Sequence, residues 1–114
     1  MANPLIVEIK YNDEIVLAVY DRWGAFDNTS VMCLASEYAE LVKGCDAQTI
    51  EERCYEKAYK GCIATESDDI EAYEEVGDVI VEIDVTSDKV IVYDIVEITA
   101  SISNFIEYAE RFKV

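Results

Sequence analysis

The stretch from Leu5 to Tyr20 reads Leu-Ile-Val-Glu-Ile-Lys-Tyr-Asn-Asp-Glu-Ile-Val-Leu-Ala-Val-Tyr, and it predicts the first part of the fold. Its first half alternates: the odd positions are apolar, and the even positions include Glu8 and Lys10. Its second half, from Glu14 to Tyr20, is apolar at both parities, which is typical of a strand covered on both faces. Because the turn pair Asn12-Asp13 lies between the halves, the stretch predicts a β-hairpin.

Two helices are predicted after the hairpin. Apolar residues at helical spacing predict the first from a cap at Asn28 or Thr29 to about Val42, ahead of Gly44. The second is expected to start near Asp46–Thr49 and to end at Lys60.

The last third of the chain predicts another hairpin and a terminal helix. Val79–Val85 alternates as a strand, with Glu82 and Asp84 pointing outward, and a second strand is expected from Val90 to about Ile98. The helix should run from Ser101 or Ser103 to Phe112. The main elements therefore follow the order ββααββα. We expect an α+β fold in one domain, residues 1–114, with an antiparallel four-stranded sheet and helices packed mainly on one face.

The charge of the chain restricts its partners. Its 114 residues include 25 acidic and 9 basic residues and no histidine, which gives a formal net charge of −16. Such a field repels nucleic acids and anionic membranes and attracts basic proteins. The start of the sequence has no secretory pattern, and no apolar run is long enough to span a membrane. We therefore expect a cytoplasmic protein with reduced thiols at Cys33, Cys45, Cys54 and Cys62.

Little in the sequence points to catalysis. The usual general base, histidine, is absent, and the four glycines are scattered, so no phosphate-binding loop is indicated. The cysteines and carboxylates lack a metal-binding pattern. We expect no enzyme activity, no cofactor and no metal. A carboxylate enzyme is the distant alternative, because acidic pairs are plentiful.

Acidic residues are concentrated between Gly61 and Asp88, where no Lys or Arg occurs. A short helix capped by Ser67 is expected there, ended by Gly77, and the following strand adds outward carboxylates. Glu82 and Asp84 would lie roughly 6.5 Å apart on that strand, a row able to imitate the charge of a nucleic-acid backbone. Tyr73 is a candidate contact for arginine. The predicted partner-binding residues are Glu66, Asp68, Asp69, Glu71, Tyr73, Glu74, Glu75, Asp78, Glu82 and Asp84.

In charge, size and this base-free stretch, the sequence resembles small acidic inhibitors of phages and mobile elements that mimic DNA, including anti-CRISPR and anti-restriction proteins. The resemblance implies a partner with a basic nucleic-acid-binding site, such as a defence nuclease or effector complex. It implies no particular fold. The sequence is also similar in character to immunity proteins and antitoxins that neutralise nuclease toxins. Two further alternatives are a structural or housekeeping domain whose acids are only solvated, and a homodimer.

Overall fold

The computed structural model describes residues 2–113 and has an α+β fold. The strands are β1 (Leu5–Tyr11), β2 (Glu14–Asp21), β3 (Ile63–Ala64), β4 (Val79–Asp84), β5 (Lys89–Tyr93) and β6 (Ile98–Ala100). The helices are α1 (Asn28–Val42), α2 (Ala47–Lys57), α3 (Ser67–Val76) and α4 (Ile102–Ala109), and a short 3-10 turn follows at Glu110–Phe112.

The six strands form one mixed sheet in the order β3-β2-β1-β4-β5-β6. The predicted hairpins are present as β1–β2 and β4–β5, but β1 and β4 pair in parallel, from Leu5 opposite Val79 to Lys10 opposite Asp84. The prediction of a four-stranded antiparallel sheet was therefore wrong in detail. Because the connection between the hairpins contains α1, α2 and α3, it is long enough to return the chain for a parallel pairing.

The two additional strands are short. β3 has two residues and pairs with β2 at one edge, where its place depends on that neighbour more than on its own sequence. The predicted strand from Val90 to Ile98 is divided, because β5 ends at Tyr93 and the chain bends before β6. Asp94 and Glu97 have opposite parity, so one continuous strand could not place both on the same face; they lie in the bend between β5 and β6.

The main core lies between one face of the sheet and helices α1, α2 and α4. Leu5, Val7 and Ile9 of β1 face it and are almost completely buried. Helix α4 contributes the buried Phe105 and Ile102 to the same core. Three of the four helices within residues 2–113 thus cover one face of the sheet. None of the four is long and apolar enough to cross a membrane.

The helix ends differ slightly from the predicted ones. Asp27 caps α1 in place of Asn28 or Thr29, accepting a 2.7 Å hydrogen bond from the backbone N–H of Ser30. Asp46 caps α2 in the same way. Helix α2 stops at Lys57 and not at Lys60, because Ala58 has extended backbone angles. All four cysteines are free; Cys45 and Cys54 are buried, and the other two are half-buried.

Candidate acidic interface

Helix α3 lies on the opposite face of the sheet from the other three helices. Its only buried residue, Ile70, packs with Ile6, Ala18 and Ala64 in a second, smaller apolar cluster. Tyr73 packs beside it, with its ring 5.4 Å from that of Tyr20. The helix is therefore attached to the sheet by few apolar side chains.

Different interactions define the two ends of α3. Glu66 and not Ser67 occupies the N-cap position, and its side chain makes no capping hydrogen bond. Asp68 and Asp69 in the first turn still favour the positive end of the helix. At the other end Gly77 permits a close approach, because a Cβ atom there would lie 2.6 Å from Cγ1 of Ile6. The absence of a side chain at Gly77 therefore lets the end of α3 lie close to Ile6 of the sheet.

Seven of the predicted partner-binding residues are exposed and lie on α3 or beside its ends. They are Glu66, Asp68, Asp69, Glu71, Glu74, Glu75 and Asp78. Neighbouring acids three or four positions apart, such as Glu71 and Glu75, repel each other on a helix. The three ion pairs found within residues 2–113 are Lys10–Glu82, Lys57–Glu37 and Lys113–Glu110, so none of them neutralises this helix. We call the seven exposed acids the α3 acidic face.

The other three predicted residues are not part of the α3 acidic face. Tyr73 is half-buried against Tyr20, so it is less available to a partner than its acidic surroundings suggest. Glu82 is half-buried and pairs with Lys10 at 3.4 Å. Asp84 is only 7% exposed, and its Oδ1 accepts a hydrogen bond from the backbone N–H of Ser87. The prediction of an outward Asp84 was wrong because alternation gives the face of a strand but not what covers that face.

Glu8 is the most unusual residue on the side of the sheet that α3 covers, and it is not among the predicted partner-binding residues. It lies on β1 with a Cα position opposite Glu82 of β4, and only 4% of it is exposed. Its Oε2 is buried without a hydrogen-bond partner among the described residues. Buried polar groups are nearly always hydrogen-bonded, so this oxygen requires an explanation.

The protonation of Glu8 supplies that explanation. Burial, followed by the neighbouring carboxyls of Glu74 and Glu82, raises the pKa of Glu8 from 4.5 to about 8, and Lys10 opposes the shift. Two adjacent carboxylates have no proton to share, whereas a protonated Glu8 can form a hydrogen bond with Glu74. A protonated Glu8 carries no charge, which lowers the cost of burying it between β1 and α3.

The sequence contains only part of the information that places Glu8. Its parity placed it on the same face as Ile6, opposite the main core. What was missing was the parallel pairing that brings Glu82 beside it and the crossing of α3 above it. Both are tertiary features, and neither follows from local periodicity.

A cleft of about 460 Å³ opens beside α3, between the helix, the start of β2 and the segment after β3. Glu14, Glu71 and Glu74 line it with carboxylates, and Ile15 and Ile70 line it with apolar surface. Among the described residues no group of three or more His, Cys, Asp or Glu side chains is arranged to hold a metal ion. The cleft therefore offers negative charge and apolar surface together.

Comparisons with protein-family models, with curated proteins and with solved structures found no match to this chain.

Proposed function

We propose that this protein is a non-catalytic inhibitor whose α3 acidic face binds the basic nucleic-acid-binding surface of another protein, such as a nuclease or effector complex. The observation that supports this most strongly is the concentration of exposed acids on one helix without a neighbouring base. Solubility alone requires a much smaller net charge than −16 on 114 residues.

The arrangement of the acids suits electrostatic recognition. Repulsion between like charges along α3 lowers the stability of the helix. A basic partner that neutralises these charges removes the repulsion, and this relief contributes to the free energy of binding. Such a charge would also accelerate association strongly at low salt. Because the net charge repels nucleic acids, the partner would be a protein that normally binds them.

Affinity capture tests this function. The tagged protein is incubated with a bacterial lysate at low and at high salt, and the retained proteins are identified by mass spectrometry. We expect the retained set to be dominated by a nucleic-acid-binding protein that double-stranded DNA or RNA displaces. Retention of no protein at low salt, or of proteins that nucleic acid does not displace, would favour a merely solvated acidic surface.

A further inference from the structure

The two faces of the sheet are covered to different extents. Helices α1, α2 and α4 cover the first face, and α3 lies on the second. The one buried residue of α3, Ile70, packs with Ile6, Ala18 and Ala64, which belong to the neighbouring strands β1, β2 and β3. Strands β5 and β6 lie beyond these contacts, at the far edge of the sheet.

Burial along β5 shows where the cover by α3 ends. Val90 and Val92, which face the main core, are buried, whereas Lys89 and Tyr93 at the opposite parity are exposed and Ile91 is half-buried. The register of β4, β5 and β6 places five residues side by side on the α3 side of the sheet: Ile80, Glu82, Ile91, Tyr93 and Thr99. We call these five residues the open half of the sheet.

Apolar surface continues from the open half into the bend between β5 and β6. Ile95 is 99% exposed there, its neighbour Val96 is also exposed, and Tyr93 directly precedes this bend. Single exposed apolar residues are usual on protein surfaces, but several that adjoin one another mark an interaction site. A partner that covered them would gain the free energy of removing this apolar surface from water.

The charges around the open half determine which partner suits it. Asp94 and Glu97 are exposed in the bend, and the exposed base of β5 is Lys89. Burial raises the pKa of Tyr93, and the nearby carboxylates of Glu82 and Glu97 raise it further. A second copy of the chain would bring like charges together, because each copy has a formal net charge of −16. The open half therefore suits a basic partner.

The uncovered strands also leave a width that suits one helix. The contacts of Ile70 centre on β2, and neighbouring strands lie about 4.8 Å apart, so β4 is about 10 Å from that centre. Packed helices lie about 8–10 Å apart. A helix placed beside α3 would therefore lie over β4 and β5. Glu74 of α3 is close to Glu8, the strand neighbour of Glu82, so the α3 acidic face borders this position.

We propose that the open half of the sheet, together with Ile95 and Val96, binds an amphipathic helix of the partner protein that is apolar towards the sheet and basic on its flanks. The inference rests on the proposed function, because this helix belongs to the protein whose basic surface the α3 acidic face binds. Its apolar side chains would cover Ile91 and Tyr93, while its basic flanks would lie near the acids of α3 and of the bend.

The probe is a capped peptide of about 14 residues made of leucine and lysine, with the leucines at helical spacing. A second peptide has the same composition with leucine and lysine alternating, a pattern that favours a strand. Each is titrated into the whole isotope-labelled protein in about 0.15 M salt, which weakens non-specific attraction. We expect the helical peptide to bind more tightly and to shift the methyl resonances of Ile91, Ile95 and Val96, but not that of Ile50 in the main core.

Three results of this titration would overturn the site. They are tighter binding of the alternating peptide, which would indicate an added strand at the β6 edge, shifts confined to α3, which would indicate attraction by charge alone, and no binding of the helical peptide.

Matched variants test the same surface without changing the net charge of −16. One carries Tyr93→Ala and Ile95→Ala, and the control carries Tyr55→Ala on α2 and Phe26→Ala just before α1. All four side chains are exposed, so both variants should fold like the wild type. The first should bind the helical peptide about tenfold more weakly, while the control should bind it like the wild type. Equal affinities of the two variants would contradict the site.

Capture of the partner from a lysate separates this inference from the proposed function. The variant with Tyr93→Ala and Ile95→Ala should retain less of the nucleic-acid-binding partner than the control does. Undiminished capture by this variant would overturn the helix site and leave the proposed function standing. Failure of the wild type to capture such a partner would contradict the proposed function, whereas the peptide titration judges the open half by itself.

Discussion

Glu8 of β1 and Glu82 of β4 occupy matched positions on adjacent parallel strands, so two carboxyl groups lie side by side on the face that α3 partly covers. Lys10 pairs with Glu82, whereas burial and the neighbouring carboxyls of Glu74 and Glu82 raise the pKa of Glu8. The fold therefore keeps an ionisable group where an apolar one would be more stable, which is characteristic of functional sites.

Glu8→Gln should stabilise the protein at neutral pH. The folded state holds a proton on Glu8 up to about pH 8, whereas the unfolded chain releases it near pH 4.5. Keeping that proton at pH 7 costs about 3 kcal/mol, which sets the upper limit of the expected gain. Urea unfolding at pH 7 measures the change, with Glu107→Gln as the control. A less stable Glu8→Gln variant would contradict the assignment.

The pH dependence of stability should carry the same signature. Because the pKa of Glu8 is raised in the folded state, its contribution to stability is greatest below about pH 4.5 and is lost progressively as pH rises to about 8. Unfolding midpoints of the wild type and of Glu8→Gln should therefore diverge between these values. Parallel curves would show that the two states do not differ in the protonation of Glu8.

Ile70→Ala should detach α3 from the sheet. Ile70 is the only buried residue of the helix, so its truncation should cost about 2 kcal/mol and accelerate hydrogen exchange in residues 67–76. Val76→Ala is the matched control, because Val76 lies on the same helix and is 54% exposed. Equal exchange rates in the two variants would indicate that Ile70 does not hold the helix.

Asp84→Asn should separate structure from binding. Asp84 is buried and accepts a hydrogen bond from Ser87, so the exchange should cost about 1 kcal/mol of stability without weakening partner binding. Glu75→Gln, on the exposed part of α3 and away from its N-terminus, should do the reverse. If the folded Asp84→Asn variant failed to bind the partner, Asp84 would have to be part of the interface.

Much of this fold follows from local patterns. Alternation over residues 5–11, the turn pair Asn12-Asp13 and the apolar run to Tyr20 predict the first hairpin. Helical spacing with capping residues predicts α1, α2 and α4. The parallel pairing of β1 with β4 was missed because two hairpins can join through either edge, and only the packing of α3 and the main core decides between them.

Sequence patterns predicted the exposure of the candidate site residues only where no other part of the chain covers them. The acids of α3 point outward because the helix has few apolar residues and buries only Ile70. Asp84, Tyr73 and Glu8 depend on what covers them, namely the turn after β4, the ring of Tyr20 and the end of α3. Residue type and parity do not contain that information.

We propose that the α3 acidic face, and not the net charge alone, binds the partner. Two variants with four exposed acids changed to Lys allow a direct comparison. One carries the exchanges at Asp68, Asp69, Glu74 and Glu75, and the control carries them at Glu40, Glu51, Glu56 and Glu107. Each exchange adds two charges, so both variants move from a formal net charge of −16 to −8.

The decisive measurement is the amount of nucleic-acid-binding partner that each variant captures, relative to the wild type, at one salt concentration. The α3 variant should capture none, while the control should retain most of the wild-type amount. Equal losses in the two variants would show that only total charge matters, and undiminished capture by the α3 variant would contradict the account.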